Sequence, residues 1–175
     1  QLWSTQTDPD PDLQNVWFGS PPVVYGGRVY AAVTSSGQAA PTADLLVLDA
    51  DTGKLLRKVF LCELRRANPG WGGFLPTEAP VISESGGILF VNTNIGALAA
   101  VQAATAEVLW LTEYEAGGAK PQPNNRRWQQ QVNDRNGRGL SPIVVIDRRV
   151  CFVAGDGDNY MEYDVDLSRF RLTDA

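Results

Sequence analysis

The chain has 175 residues, 43% of them hydrophobic and 20% charged, with a net charge of -5, which predicts one folded domain with an apolar core. The acidic balance argues against a general nucleic-acid binder, which needs a basic face to displace counterions. The absence of histidine excludes Ser-His-Asp and Cys-His catalysis and His-ligated zinc within this chain. No apolar run approaches the roughly 18 residues of a membrane span.

Residues 1–4 resemble the end of a strand with nothing in front of it, since Leu2-Trp3 repeats the Leu109-Trp110 ending found later. They also lack the basic region and apolar core of a signal peptide, as a mature form or an excised piece would. Residues 8–14 (DPDPDLQ) hold two prolines and cannot be a helix interior. A first unit then follows, with strands expected at 22–25, 28–34, 45–49 and 55–61. Gly26-Gly27 turns the chain between the first two strands, and residues 35–43 form a loop rich in Ser, Gly, Pro and Ala. Between the last two lies the turn Asp51-Thr52-Gly53-Lys54, whose glycine can take positive φ.

The second unit, after the glycine-rich connection 68–73, has strands at 80–82, 88–93, 97–102 and up to Trp110. The third begins at Pro142, with strands at 142–146, 149–154, 160–164 and 170–172. The repeat is checked by spacing. Tyr30, Phe90 and Cys151 hold the same place, 60 and 61 residues apart; Asp49, Gln102 and Asp164 hold another, 53 and 62 apart. Four short strands per repeat make a β-propeller blade, whose inner strands are apolar on both sides because each blade packs between two others. The fourth strand lies at the rim and tolerates charge, as at Arg57, Lys58 and Glu63. The fold class is therefore all-β: a single propeller segment over 1–175 with about three four-stranded antiparallel blades, at 22–63, 80–113 and 141–173. Residues 1–4 end a preceding blade and 114–140 form a long inserted loop.

The run Leu46-Val47-Leu48-Asp49-Ala50-Asp51-Thr52-Gly53-Lys54 resembles the repeat of the PQQ-type, quinoprotein-like propellers, in which a Thr-Gly turn follows Leu-Asp-Ala and the fourth strand ends in Trp. The second unit keeps Thr105 and Trp110 but has Gln102 and Ala106 for the Asp and Gly. The third keeps Asp164 and the preceding Gly155-Asp156-Gly157 turn, but has Leu167-Ser168 and no Trp. The resemblance implies a ring of more than three blades, of which this chain is an arc. An arc leaves apolar flanks for other protein chains or for the remaining blades of a parent protein.

The resemblance supports three functions. The leading one is a non-catalytic interaction or scaffold module of an extracytoplasmic assembly, in an extracellular or periplasmic setting. The second is a segment of an alcohol or sugar dehydrogenase using PQQ and calcium. The chain has neither the adjacent cysteines nor a recognisable Glu/Asn/Asp set that such a site implies, so no cofactor is expected outside that alternative; Asn92 or Asn94 could face a ring axis. The third is a carbohydrate- or peptide-binding propeller.

Residues 156–159 (DGDN) open like a calcium loop, but position 12 is Leu167 where an EF-hand needs Glu, so an acidic turn is expected. Asp49, Asp51 and Asp164 are expected to cap turns. Cys62 and Cys151 are expected to be buried thiols. The recognition candidates lie in long connections: Trp71 among glycines, and Arg126, Arg127, Trp128, Arg135 and Arg138 in a basic, glutamine-rich protrusion.

Overall fold

The computed structural model describes residues 3–4, 10–13, 16–36, 41–63, 79–114, 142–146, 149–153 and 160–164. A 3-10 turn, Pro11–Leu13, precedes a first blade of β1 (Val16–Trp17), β2 (Val23–Tyr25), β3 (Arg28–Ser36), β4 (Pro41–Asp49) and β5 (Leu55–Glu63). The second blade holds β6 (Val81–Ser85), β7 (Ile88–Asn92), β8 (Ala97–Gln102) and β9 (Glu107–Glu113). The third holds β10 (Val144–Ile146), β11 (Arg149–Val153) and β12 (Tyr160–Asp164). Each is an antiparallel meander paired in chain order, apart from β1, which pairs with β3. The strand expected at 170–172 lies outside the described residues.

The first blade differs from the expectation at two places. Its innermost position is shared by β1 and β2, which both pair with β3, Val16 opposite Ser35 and Val23 opposite Tyr30. A two-residue strand leaves no alternation to detect, so β1 has no sequence signature. The expected 35–43 loop is also largely strand: β3 runs to Ser36 and β4 starts at Pro41. Ladder hydrogen bonds there override the turn-forming composition.

The repeat register is the same in the three sheets. Asp49, Gln102 and Asp164 stand opposite Arg28, Ile88 and Arg149. The bulges at Val47/Leu48 and at Ala100/Val101 also fall at equivalent places, and such extra residues strengthen the local twist.

Because side chains alternate between the two faces of a strand, the first two sheets each bury two separate sets, and the third buries one. Tyr30, Ala32, Leu45, Val47, Val59 and Leu61 of the first blade pack with Leu89, Val91, Ala99 and Val101 of the second. Phe90, Leu98, Ala100 and Trp110, on the other face of the second blade, pack with Ile143, Val150 and Phe152 of the third. Every residue of β7 is buried, and every residue of β8 except Gln102. Leu89 and Leu98 are fully buried on opposite faces, so truncating either to Ala would cost about 2–5 kcal/mol.

The outer face of the first blade is not left bare at its centre. Ala31, Val33 and Leu46 are buried there with Leu13, Val16 and Leu55 against them. The cysteines are free and only partly buried, unlike the expectation. Cys62 sits near the end of the edge strand β5, and Cys151 is opposite Val144 on the face of the third blade that points away from the second.

Candidate functional site

Besides their apolar faces, the first and second blades meet through a strand-connecting turn, where three side chains of one bond the backbone of the other. The turn between β4 and β5 is built locally. The Asp49 carboxylate accepts hydrogen bonds from the Thr52 hydroxyl (2.7 Å), the Thr52 amide (2.8 Å) and the Asp51 amide (3.2 Å). The Thr52 hydroxyl and amide hold the Asp49 pKa below its ordinary value, partly opposed by burial and helped by the Asp51 amide. The expected capping role of Asp49 is thus observed. Gly53 takes φ +73°, which permits the amide of Gly53 to return to the Asp49 carbonyl at 2.8 Å. The Trp3 indole seats on this turn, its Nε1–H donating to the Ala50 carbonyl at 2.8 Å.

The equivalent turn of the second blade, between β8 and β9, closes with the Ala106 amide on the Gln102 carbonyl at 2.7 Å and Ala106 at φ +55°. Its contacts with the first blade are different in kind. The Tyr30 hydroxyl donates to the Ala103 carbonyl. The Arg28 guanidinium donates to the Ala104 carbonyl and the Arg57 guanidinium to the Thr105 carbonyl, each at 2.8 Å. Three successive carbonyls of one blade are therefore held by three side chains of its neighbour.

The far end of the second blade carries a buried polar network. Asn92 Nδ2 donates to Asn94 Oδ1 (2.8 Å), Asn94 Nδ2 to the Ala79 carbonyl (2.6 Å), and the Tyr114 hydroxyl to Asn92 Oδ1 (2.7 Å). Thr93 closes the turn by donating to the Ala97 carbonyl at 2.7 Å. In the first blade the buried Asp44 accepts from the Ser35 (2.7 Å) and Thr42 (3.0 Å) hydroxyls and pairs with Lys58 at 3.6 Å. Burial pushes the Cys62 thiol pKa up, opposed by a hydrogen bond with Thr93 and reinforced by the charges of Asp44 and Glu113.

Asn92 and Asn94 are engaged with each other and with the backbone. Among the described residues no group of three or more His, Cys, Asp or Glu is placed to hold a metal ion. Trp71, Arg126, Arg127, Trp128, Arg135 and Arg138 lie outside the described residues, as does the 156–159 turn. The docking residues Tyr30, Arg28 and Arg57 carried no functional signal as single residues. Their signal was a pair of departures from the repeat: no Trp in the fourth strand of the first unit, and Ala106 for Gly in the second.

Among the described residues, apolar side chains are exposed on the outer faces of the first and third blades. On the outer face of the third blade Val144 is 43% and Ile146 56% exposed, beside an ion pair of Arg149 with Glu162. Around the covered centre of the first blade's outer face, Val24 is 68% and Phe60 58% exposed. No helix among the described residues is long and apolar enough to cross a membrane.

Residues 1–126, which include both complete blades, match the model of a PQQ-type repeat family described as outer membrane protein assembly factor BamB. Among solved structures, the crystal structure of BamB from Moraxella catarrhalis is similar, at 10% identity and a TM-score of 0.34 over 82% of this chain. The match covers 50% of that chain, so the present chain spans half the length of that relative. A comparison with the curated proteins finds no match.

Proposed function

The chain belongs to the PQQ-type repeat family of the outer membrane protein assembly factor BamB, and on that premise we propose that it is a non-catalytic, protein-binding propeller segment of an extracytoplasmic assembly. The observation that carries this reading is the family match across both complete blades. Physical support comes from the way the blades are used. Their polar side chains are spent on turns and seams, and apolar flanks at Val144, Ile146, Val24 and Phe60 offer area to other protein. The setting proposed is the periplasm, at the outer membrane, where a factor of this family would serve outer membrane protein assembly.

In this proposal Trp71, Arg126, Arg127, Trp128, Arg135 and Arg138 are contact residues, because Trp and Arg dominate tight interfaces. No resident cofactor takes part, so PQQ with calcium added to the whole protein should leave no bound quinone absorbance after gel filtration. The deciding experiment removes the protein from cells that make it and measures folded β-barrel protein recovered in their outer membranes. A fall in that amount, restored by the wild-type protein, is expected. An unchanged amount overturns the proposal.

A further inference from the structure

The two blade turns are equivalent in backbone and opposite in what seats on them. Val47 and Ala100 hold the same place in β4 and β8, since they stand opposite Tyr30 and Phe90. Their partners on the other side are Arg57 and Trp110. Arg57 therefore occupies in the first blade the place that Trp110 occupies in the second. Trp3, with its Leu-Trp ending, reaches the turn of the next blade as Arg57 does. The two seams can then be compared residue by residue.

On the first turn the Trp3 indole N–H bonds the Ala50 carbonyl, and a Cβ on Gly53 would stand 2.9 Å from Trp3 Cγ and closer still to Cδ2 and Cε3. The indole thus fills the space over residue 53. On the second turn the residue equivalent to Gly53 is Ala106, buried in the cluster shared by the first two blades. Its methyl stands where the indole would lie. The ring is gone and its hydrogen bond is redistributed: the hydroxyl of Tyr30, in the place of Phe90, takes the Ala103 carbonyl, and Arg57 and Arg28 take the next two carbonyls. A guanidinium can reach these carbonyls from the side, leaving room for the methyl; charge-assisted hydrogen bonds of this kind are also the stronger ones.

We infer that the two turns are non-interchangeable docking surfaces: the 103–106 turn accepts an arginine-bearing fourth strand and refuses an indole, while the 50–53 turn accepts an indole and refuses a side chain at residue 53. The pairing specifies blade order. The second blade, whose fourth strand carries Trp110, cannot seat on the turn of a second copy of itself. Mispaired stacking between copies is a hazard of repeat proteins, and a steric refusal guards against it without weakening the correct seam. This inference rests on the blade geometry alone and stands whether or not the chain serves an outer-membrane assembly.

The test is a double-mutant cycle on the whole chain, read by urea unfolding. Arg57→Trp is expected to raise the unfolding equilibrium constant about tenfold or more, Ala106→Gly to change it little, and the double variant to recover most of the loss. A stable Arg57→Trp, or a double variant no better than Arg57→Trp alone, overturns the inference. If Arg57→Trp does not fold, the first seam decides. Gly53→Ala should be far more harmful with Trp3 present than in a Trp3→Ala background, where only the cost of φ +73° remains. Equal harm in both backgrounds overturns it.

Discussion

The Tyr114 hydroxyl and the Asn92 side-chain oxygen, 22 residues apart, share a 2.7 Å hydrogen bond inside the second blade. It ties the end of β9 to the end of β7. Both residues are buried, and the same Asn92 oxygen accepts from the Asn94 amide at 3.1 Å. Tyr114 also meets Phe152 of the third blade edge-on, with ring centroids 5.6 Å apart. Tyr114→Phe keeps the ring contact and removes the hydroxyl. It should destabilise the chain by about 1–2 kcal/mol in urea unfolding. Tyr114→Ala should cost about 3–5 kcal/mol, because the packing goes as well.

Asp49 gives the fold an acid-side dependence of known sign. Its pKa is lowered in the folded chain from an ordinary 3.8, chiefly by the Thr52 hydroxyl. A depressed carboxylate contributes stability above its unfolded value and loses it as pH falls through the folded value. Asp49→Asn can still accept the hydrogen bonds but cannot titrate. Between about pH 5 and pH 2 its unfolding midpoint should therefore fall less steeply than that of the wild type. Parallel slopes would show that the turn does not sense this carboxylate.

Cys62 should be a slow thiol. Burial raises its pKa above the ordinary 9.0, and Asp44 and Glu113 add to the effect while Thr93 opposes it. Alkylation needs the thiolate, so at pH 8 iodoacetamide should modify Cys62 several-fold more slowly in the native chain than in urea. The linked stability is present below the unfolded thiol pKa and is lost as pH rises through the folded one. Asp44→Asn should speed the native reaction, since it removes one of the charges that disfavour the thiolate. Equal native and unfolded rates would contradict the burial of this sulfur.

Ile146 is the most exposed described apolar residue of the third blade, at 56%, and shares its face with Val144. A charge there meets water rather than core, so Ile146→Lys should change stability by no more than about 0.5 kcal/mol. The same change should suppress concentration-dependent association of the chain in light scattering. Association unaltered by the substitution would assign the contact to another surface.

Most of the architecture was legible because a blade is written locally. Thr52 and Gly53 announce their turn within a few residues of Asp49, and the double apolar pattern of β7 and β8 declares a sheet buried on both sides. The added strand β1 and the outer extension of the β3–β4 ladder were illegible, since two residues show no period and a composition rich in Ser, Gly and Ala reads as loop. The half-buried cysteines were misjudged for a related reason. Residue type reports average burial, whereas Cys62 lies in an edge strand and Cys151 on an uncovered face.

The sequence by itself determined the repeat, the strand alternation and the turn chemistry, because these depend on neighbours a few bonds apart and on a period of two. The tertiary structure decided which side chain docks on which turn. Arg57 and Thr105 are 48 residues apart, Arg28 and Ala104 are 76, and only stacked blades bring them together. A charge at the rim and an alanine for a glycine read as two unrelated departures along the chain. In space they are one contact, because a turn that carries a methyl where its counterpart carries an indole must be held from the side.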